Sequence, residues 1–189
     1  MNFVRKIISR WPVNGVVLCH VNDINFKMLC KEDEPIANGS FYWGFTKLSL
    51  LELTIFSRVC QRSLNIADIG ANVGLYSIIG ALSNPKAKIT AFEPGIENYN
   101  RLQHNVELNG IRNISVENVA LSDTTGDLAF NESEDGGISV FSSAKREQVE
   151  LFTENVKQRL VESITLDDWC KRVKEQFDLI KIDVELFEY

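Results

Sequence analysis

A doubly wound α/β fold with a mostly parallel sheet is predicted by three observations on this sequence. The apolar run Asn65–Ile69 carries Asp68 and leads into a glycine turn, Gly70-Ala71-Asn72-Val73-Gly74. A second apolar run, Lys88–Phe92, ends in Glu93, at about the 20-residue spacing from the turn that a ribose-binding acid requires. Helical patterns over 75–82 and 97–108 follow the two runs, as strands that lie parallel demand covering, right-handed crossovers.

Each element has its own signal. Residues 16–30 alternate loosely and read as a hairpin, with Asn22-Asp23 at the turn. Apolar residues at Leu50, Leu51, Leu53, Ile55, Phe56 and Val59 recur at helical spacing, so 48–60 is predicted as a helix. Asn109-Gly110 closes the 97–108 helix in a form suited to a left-handed cap. Residues 113–119 alternate as a third strand, and 122–141, with its turn signals, reads as an excursion over the ligand-binding face. A charged, solvated helix is expected over 145–158 and a strand over 161–165. A helix over 166–174 is opened by Thr165, with Asp167 and Asp168 as first-turn acids. The apolar run 177–184 is the last strand, placed beside the first, so the expected order is third, second, first, last. Residues 1–60 form a small N-terminal accessory segment and 61–189 the main domain.

Composition narrows the function classes. At 189 residues the chain is one domain in size, with ordinary apolar (44%) and charged (24%) fractions. A net charge of −6 and no Lys/Arg run argue against a nucleic-acid partner. Cys19, Cys30, Cys60 and Cys170 are scattered, and His20 and His104 lack ligand-spaced neighbours. Thiols in a reducing, cytoplasmic setting are expected, and a metal site is not. No apolar stretch reaches the length of a membrane span or of a signal-peptide core. Phe3, Val4, Ile7, Ile8 and Trp11 share one helical face beside Arg5, Lys6 and Arg10, suited to packing on the domain or a partner ahead of touching a membrane surface. Phe41, Tyr42 and Trp43 form an aromatic cluster for core packing or for a pocket wall.

The glycine spacing decides among nucleotide ligands. Gly-x-x-x-Gly lacks the Gly-x-Gly-x-x-Gly that cradles a dinucleotide pyrophosphate, so a nicotinamide cofactor is the weaker reading. The turn fits one ribose and an anionic end that is not a pyrophosphate, the shape of S-adenosylmethionine with its carboxylate. Gly70, Asn72 and Gly74 would offer backbone groups to the methionine end, with the helix start favouring the carboxylate. Asp68 would meet the ammonium group or orient the turn. Glu93 would accept hydrogen bonds from the ribose hydroxyls.

Asp68-Ile69-Gly70-Ala71-Asn72-Val73-Gly74-Leu75-Tyr76-Ser77 resembles the first motif of FkbM-type methyltransferases. Ala91-Phe92-Glu93-Pro94, Ala120-Leu121-Ser122-Asp123, Thr165-Leu166-Asp167-Asp168 and Lys181-Ile182-Asp183-Val184-Glu185 are similar to later motifs, in the family's order. The resemblance implies the class I, Rossmann-like fold and methyl transfer from S-adenosylmethionine to a hydroxyl of a saccharide or secondary metabolite. By the same analogy Asn118 and Ala120 border the adenine, or are simply a strand end. Asp183 and Glu185, at the carboxyl end of the last strand, are the candidates for acceptor positioning or proton removal, or are strand-end surface acids.

Two departures shape the expectation. Leu186 stands where the family has glycine, and the fold the resemblance implies has further strands after the fourth. The sheet is therefore expected to be incomplete at its C-terminal side, with the last strand an exposed edge open to self-association. The competing reading is a truncated or degenerate fragment that binds a partner or has no activity.

Overall fold

The computed structural model describes residues 14–30, 45, 47–133, 142–143 and 156–184. The 1–11 helical face, the 41–43 aromatics, most of 145–158, and Glu185 with Leu186 lie outside the described residues.

The central layer is a four-stranded parallel sheet. Strands β3 (Asn65–Ile69), β4 (Lys88–Phe92), β5 (Ile114–Glu117) and β10 (Leu179–Ile182) lie in the order β10-β3-β4-β5, as expected. All three pairings are parallel, with Lys181 opposite Asp68 and Phe92 opposite Ile69. Helix α2 (Leu75–Ser83) links β3 to β4, and α3 (Ile96–Leu108) links β4 to β5. The chain then returns past β3 to add β10, entering it after helix α4 (Leu166–Val173). The reversal of strand order falls between β3 and β10, the crevice where ligands sit in such sheets.

Burial explains why β3 and β4 read so clearly from sequence. Ile66 and Ile89 pack on one face with Cys60 and Ala81; Ala67, Ile69 and Phe92 pack on the other with Val119, Ile164 and Trp169. A strand buried on both faces is a continuous apolar run. Asp178 sets the register of β10: its carboxylate accepts from the Leu64 and Asn65 amides at 2.8 and 3.0 Å, and its own amide donates to Asn65 O. The outer strand is less covered, with Ile180 and Ile182 at 42% and 53% exposure.

The N-terminal hairpin, β1 (Gly15–Val21) and β2 (Ile24–Cys30), and helix α1 (Lys47–Cys60) share a core with the sheet domain. Val17, Phe26, Met28 and Leu53 pack with Val73, Ile78 and Ile79. Asn105 of α3, fully buried, accepts from Leu29 N at 2.7 Å and donates to Val73 O at 2.9 Å, joining the hairpin to the turn.

Two expectations are corrected. The third strand does not run over 113–119: β5 ends at Glu117, and β6 (Ala120–Leu121) leaves for a second sheet. That sheet, in the order β6-β9-β7-β8, contains β7 (Gly126–Ser133), β8 (Ser142–Ser143) and β9 (Val156–Ile164). The end of the segment expected as a charged helix, 156–158, is instead the start of β9, where cross-strand pairing along all of β7 overrides local charge. The second sheet docks at the start of α4: Thr165 caps the helix by accepting from Asp168 N, and the Thr125 hydroxyl donates to the Asp168 carboxylate at 3.0 Å. That bond, then those from Lys171 and Thr165, holds the Asp168 carboxyl below the usual carboxylate range. The four cysteines are thiols, and burial followed by the Asp68 charge pushes Cys60 up to about 12, which leaves it inert. Among the described residues no helix is long and apolar enough to cross a membrane.

Phe92 is the keystone of the α4 face, 1% exposed and edge-on to Trp169 and Phe177 at 5.1 and 6.3 Å between ring centroids. Phe92→Ala should lower the unfolding free energy in urea by about 3–5 kcal/mol, and a loss under about 1 kcal/mol would mean that this face is not packed as described.

Candidate functional site

The ends of β3, β4 and β10 converge on the glycine turn. The turn is forced to fold tightly: the Gly70 and Ala71 amides both donate to Phe92 O, at 3.1 and 3.0 Å, and Gly74 N donates to Ala71 O. Gly70 and Gly74 take φ of +72° and +94°, a region costly for residues with a Cβ. At Gly70 a side chain would also run into the backbone carbonyl of Asp183, and at Gly74 it would press on Leu102 of α3 at 3.0 Å. The missing side chains therefore let the turn lie against β10 on one side and α3 on the other.

Glu93 lies at the end of β4, 4% exposed. Its Oε2 accepts from the Asn72 amide at 2.8 Å and its Oε1 from the Gly95 amide at 2.9 Å. One carboxylate thus joins the glycine turn to the residue that precedes α3 and is held in one orientation. Asn118 is drawn to the same place: its Nδ2 donates to Glu93 O and Pro94 O at 2.8 and 2.9 Å. Ala120, 5% exposed, follows where β6 begins. Asn72 has φ +51°, and its buried Oδ1 has no hydrogen-bond partner among the described residues. A buried acceptor without a donor is costly unless something completes it.

Asp68 is fully buried. Its Oδ2 accepts from the Ser77 hydroxyl at 2.6 Å, and its Oδ1 lies 3.0 Å from the Lys181 ammonium. Oδ2 is thus hydrogen-bonded, while Oδ1 is ion-paired but has no hydrogen-bond partner among the described residues. Lys181 also donates to Gly70 O at 3.2 Å, stands 3.8 Å from Asp183 Oδ2 and lies 4.8 Å from the centre of the Tyr76 ring. Burial, then the charges of Glu52, Asp183 and Asp68, raises the Tyr76 phenol above its ordinary value, keeping it protonated at neutral pH.

Of the residues singled out from sequence, Asp68, Gly70, Asn72, Gly74, Glu93 and Asn118 gather at these strand ends. Asp183 follows β10, its amide bonded to Ile69 O at 3.0 Å and its carboxylate 63% exposed. Glu185 lies outside the described residues. Lys181 was missed. Its signal is a lone lysine inside the apolar run Leu179-Ile180-Lys181-Ile182, beside a strand with a lone aspartate.

Topology and turn define an open α/β protein with its candidate site at the switch point of the sheet. Residues 68–189 match the family described as the Methyltransferase FkbM domain, and the chain belongs to it. Methyltransferase sdnD of Sordaria araneosa is 29% identical over 179 residues, covering 76% of this chain and 68% of that protein. Methyltransferase 1 of Beauveria bassiana is 23% identical over 133 residues, covering 64% and 53%, so the chain spans about half of that relative's length. Among solved structures, P. horikoshii TYW2 in complex with MeSAdo superposes with a TM-score of 0.43 at 21% identity, covering 62% of this chain and 40% of that one.

Gly70→Ala places a Cβ against the Asp183 backbone at positive φ. Chemical denaturation should show a loss above about 2 kcal/mol, where an open left-handed glycine would lose only about 1 kcal/mol. A loss at the lower figure would contradict the close approach of turn and strand.

Proposed function

We propose that this chain carries the S-adenosylmethionine site of a methyltransferase that acts on a hydroxyl of a saccharide or secondary metabolite. The observation that carries the reading is Glu93, a buried carboxylate fixed by two backbone amides at the strand end next to a left-handed glycine turn. The family to which the chain belongs supports it independently. The donor set also fits the cofactor. Beside the turn, Asn72 Oδ1 is a buried acceptor with no hydrogen-bond partner among the described residues.

Glu93 would hold the ribose hydroxyls, which need a fixed acceptor at a strand end. The backbone around Gly70, Asn72 and Gly74 would hold the amino-acid end, and the start of α2 favours its carboxylate. With Asp68 ion-paired to Lys181, the ammonium group would meet turn carbonyls, Asn72 or, through water, Asp68. Asn118 and Ala120 would border the adenine. The cofactor supplies an electrophilic methyl group on a sulfonium, whose transfer by in-line displacement calls mainly for positioning. Asp183, exposed at the end of β10, would orient an acceptor hydroxyl and take its proton. Glu185 has the same chemical capacity.

Calorimetric titration of the chain with S-adenosylhomocysteine, run in parallel with NAD, tests the reading. Binding of the former alone is expected. Glu93→Ala should weaken it by on the order of 2–4 kcal/mol, the worth of two charge-assisted hydrogen bonds. An affinity within about threefold of wild type, under 1 kcal/mol, would remove Glu93 from the ribose site. For the acceptor, transfer of labelled methyl to hydroxylated compounds is the expected outcome, and transfer only to amines or thiols would overturn that part.

A further inference from the structure

We infer that Lys181 is the positioning residue of this site, compensating the buried Asp68 charge so that the glycine turn can receive the anionic end of its ligand. The inference rests on the cofactor reading above and goes beyond it, since it assigns work to a residue outside the set proposed to hold the cofactor.

The argument is electrostatic and geometric. Three carboxylates, Asp68, Glu93 and Asp183, surround the turn, and Asp68 lies directly beneath it with no exposure. Uncompensated, the buried Asp68 carboxylate would repel a ligand carboxylate and draw its ammonium in a medium that screens poorly, turning the charged end away from the helix start. The Lys181 ammonium, on a side chain 13% exposed, lies 3.0 Å from Asp68 Oδ1 and removes that repulsion. The same ammonium donates to Gly70 O, fixing the peptide whose left-handed φ opens the turn, and lies 3.8 Å from the Asp183 carboxylate two residues further along the chain. The Tyr76 ring at 4.8 Å shields it from solvent on the α2 side. Strand register makes this contact unavoidable, because Lys181 and Asp68 are direct partners on β10 and β3. An ammonium that only stabilised the sheet would need the Asp68 contact alone. The bond to Gly70 O is the part aimed at the turn.

Two ligands that share adenosine but differ in the charged end separate this role from a structural one. S-adenosylhomocysteine has the carboxylate and ammonium, and 5′-methylthioadenosine has neither. Lys181→Met should weaken S-adenosylhomocysteine at least about tenfold while changing methylthioadenosine by less than about threefold, and Lys181→Arg should restore most of the loss. Asp68→Asn with Lys181→Met removes both charges and leaves no unpaired buried carboxylate, so it covers the case in which the single variant fails to fold. This pair should regain most of the lost affinity. Equal weakening of both ligands, or of neither, would overturn the inference. A wild-type chain that binds neither ligand would instead overturn the cofactor reading, and this inference with it. If the double variant binds S-adenosylhomocysteine as poorly as, or worse than, Lys181→Met, charge compensation is not what Lys181 provides.

Discussion

Strand β3 is held on both edges and both faces, and the rest of the structure follows from that constraint. Parallel neighbours β4 and β10 pair with it along its length, while α1 and α2 cover one face and α4 the other. A strand so enclosed has no water for a charge, yet it carries Asp68 at its end. The charge is tolerated because Lys181 arrives from β10 in direct register and Ser77 from α2. Breaking such a pair from one side is far more costly than never building it. This is a reason for β10, Asp178 and the α4 return to be placed as they are: they bring the compensating cation to the one position where it is needed.

The same packing generates the site. Strands that run parallel bring their carboxyl ends to one rim, and the reversal of order between β3 and β10 leaves a crevice there. The turn enters that crevice only because Gly70 presents no side chain to the Asp183 backbone. Glu93 is then fixed by amides on two different segments, so its orientation is set by the fold before any ligand arrives. Preorganised polar groups of this kind need little reorganisation on binding. The N-terminal hairpin takes part through Asn105, whose buried amide grips both β2 and the turn.

Legibility followed burial. Asn65–Ile69 and Lys88–Phe92 are apolar on both faces and bounded by turn residues, and their limits could be read to the residue. Helices α1 to α4 and the sheet order were equally readable, because amphipathic periods and short connections leave few arrangements. The second sheet was not. Gly126–Ser133 buries Phe130 while much of β9 faces solvent with charged residues, so local pattern and long-range pairing disagree. At the site, the acids were legible because strand-end carboxylates have a known use. Lys181 was not, since its meaning depends on Asp68, more than a hundred positions away in sequence and brought alongside it only by the parallel register.

A crystal structure of the chain with S-adenosylhomocysteine bound is the most direct measurement of the central claim. The account predicts both ribose hydroxyls on the Glu93 carboxylate, the amino-acid end over Gly70 to Gly74, and Lys181 still paired with Asp68. A ligand seated elsewhere, or one whose ribose is beyond hydrogen-bonding reach of Glu93, would contradict it.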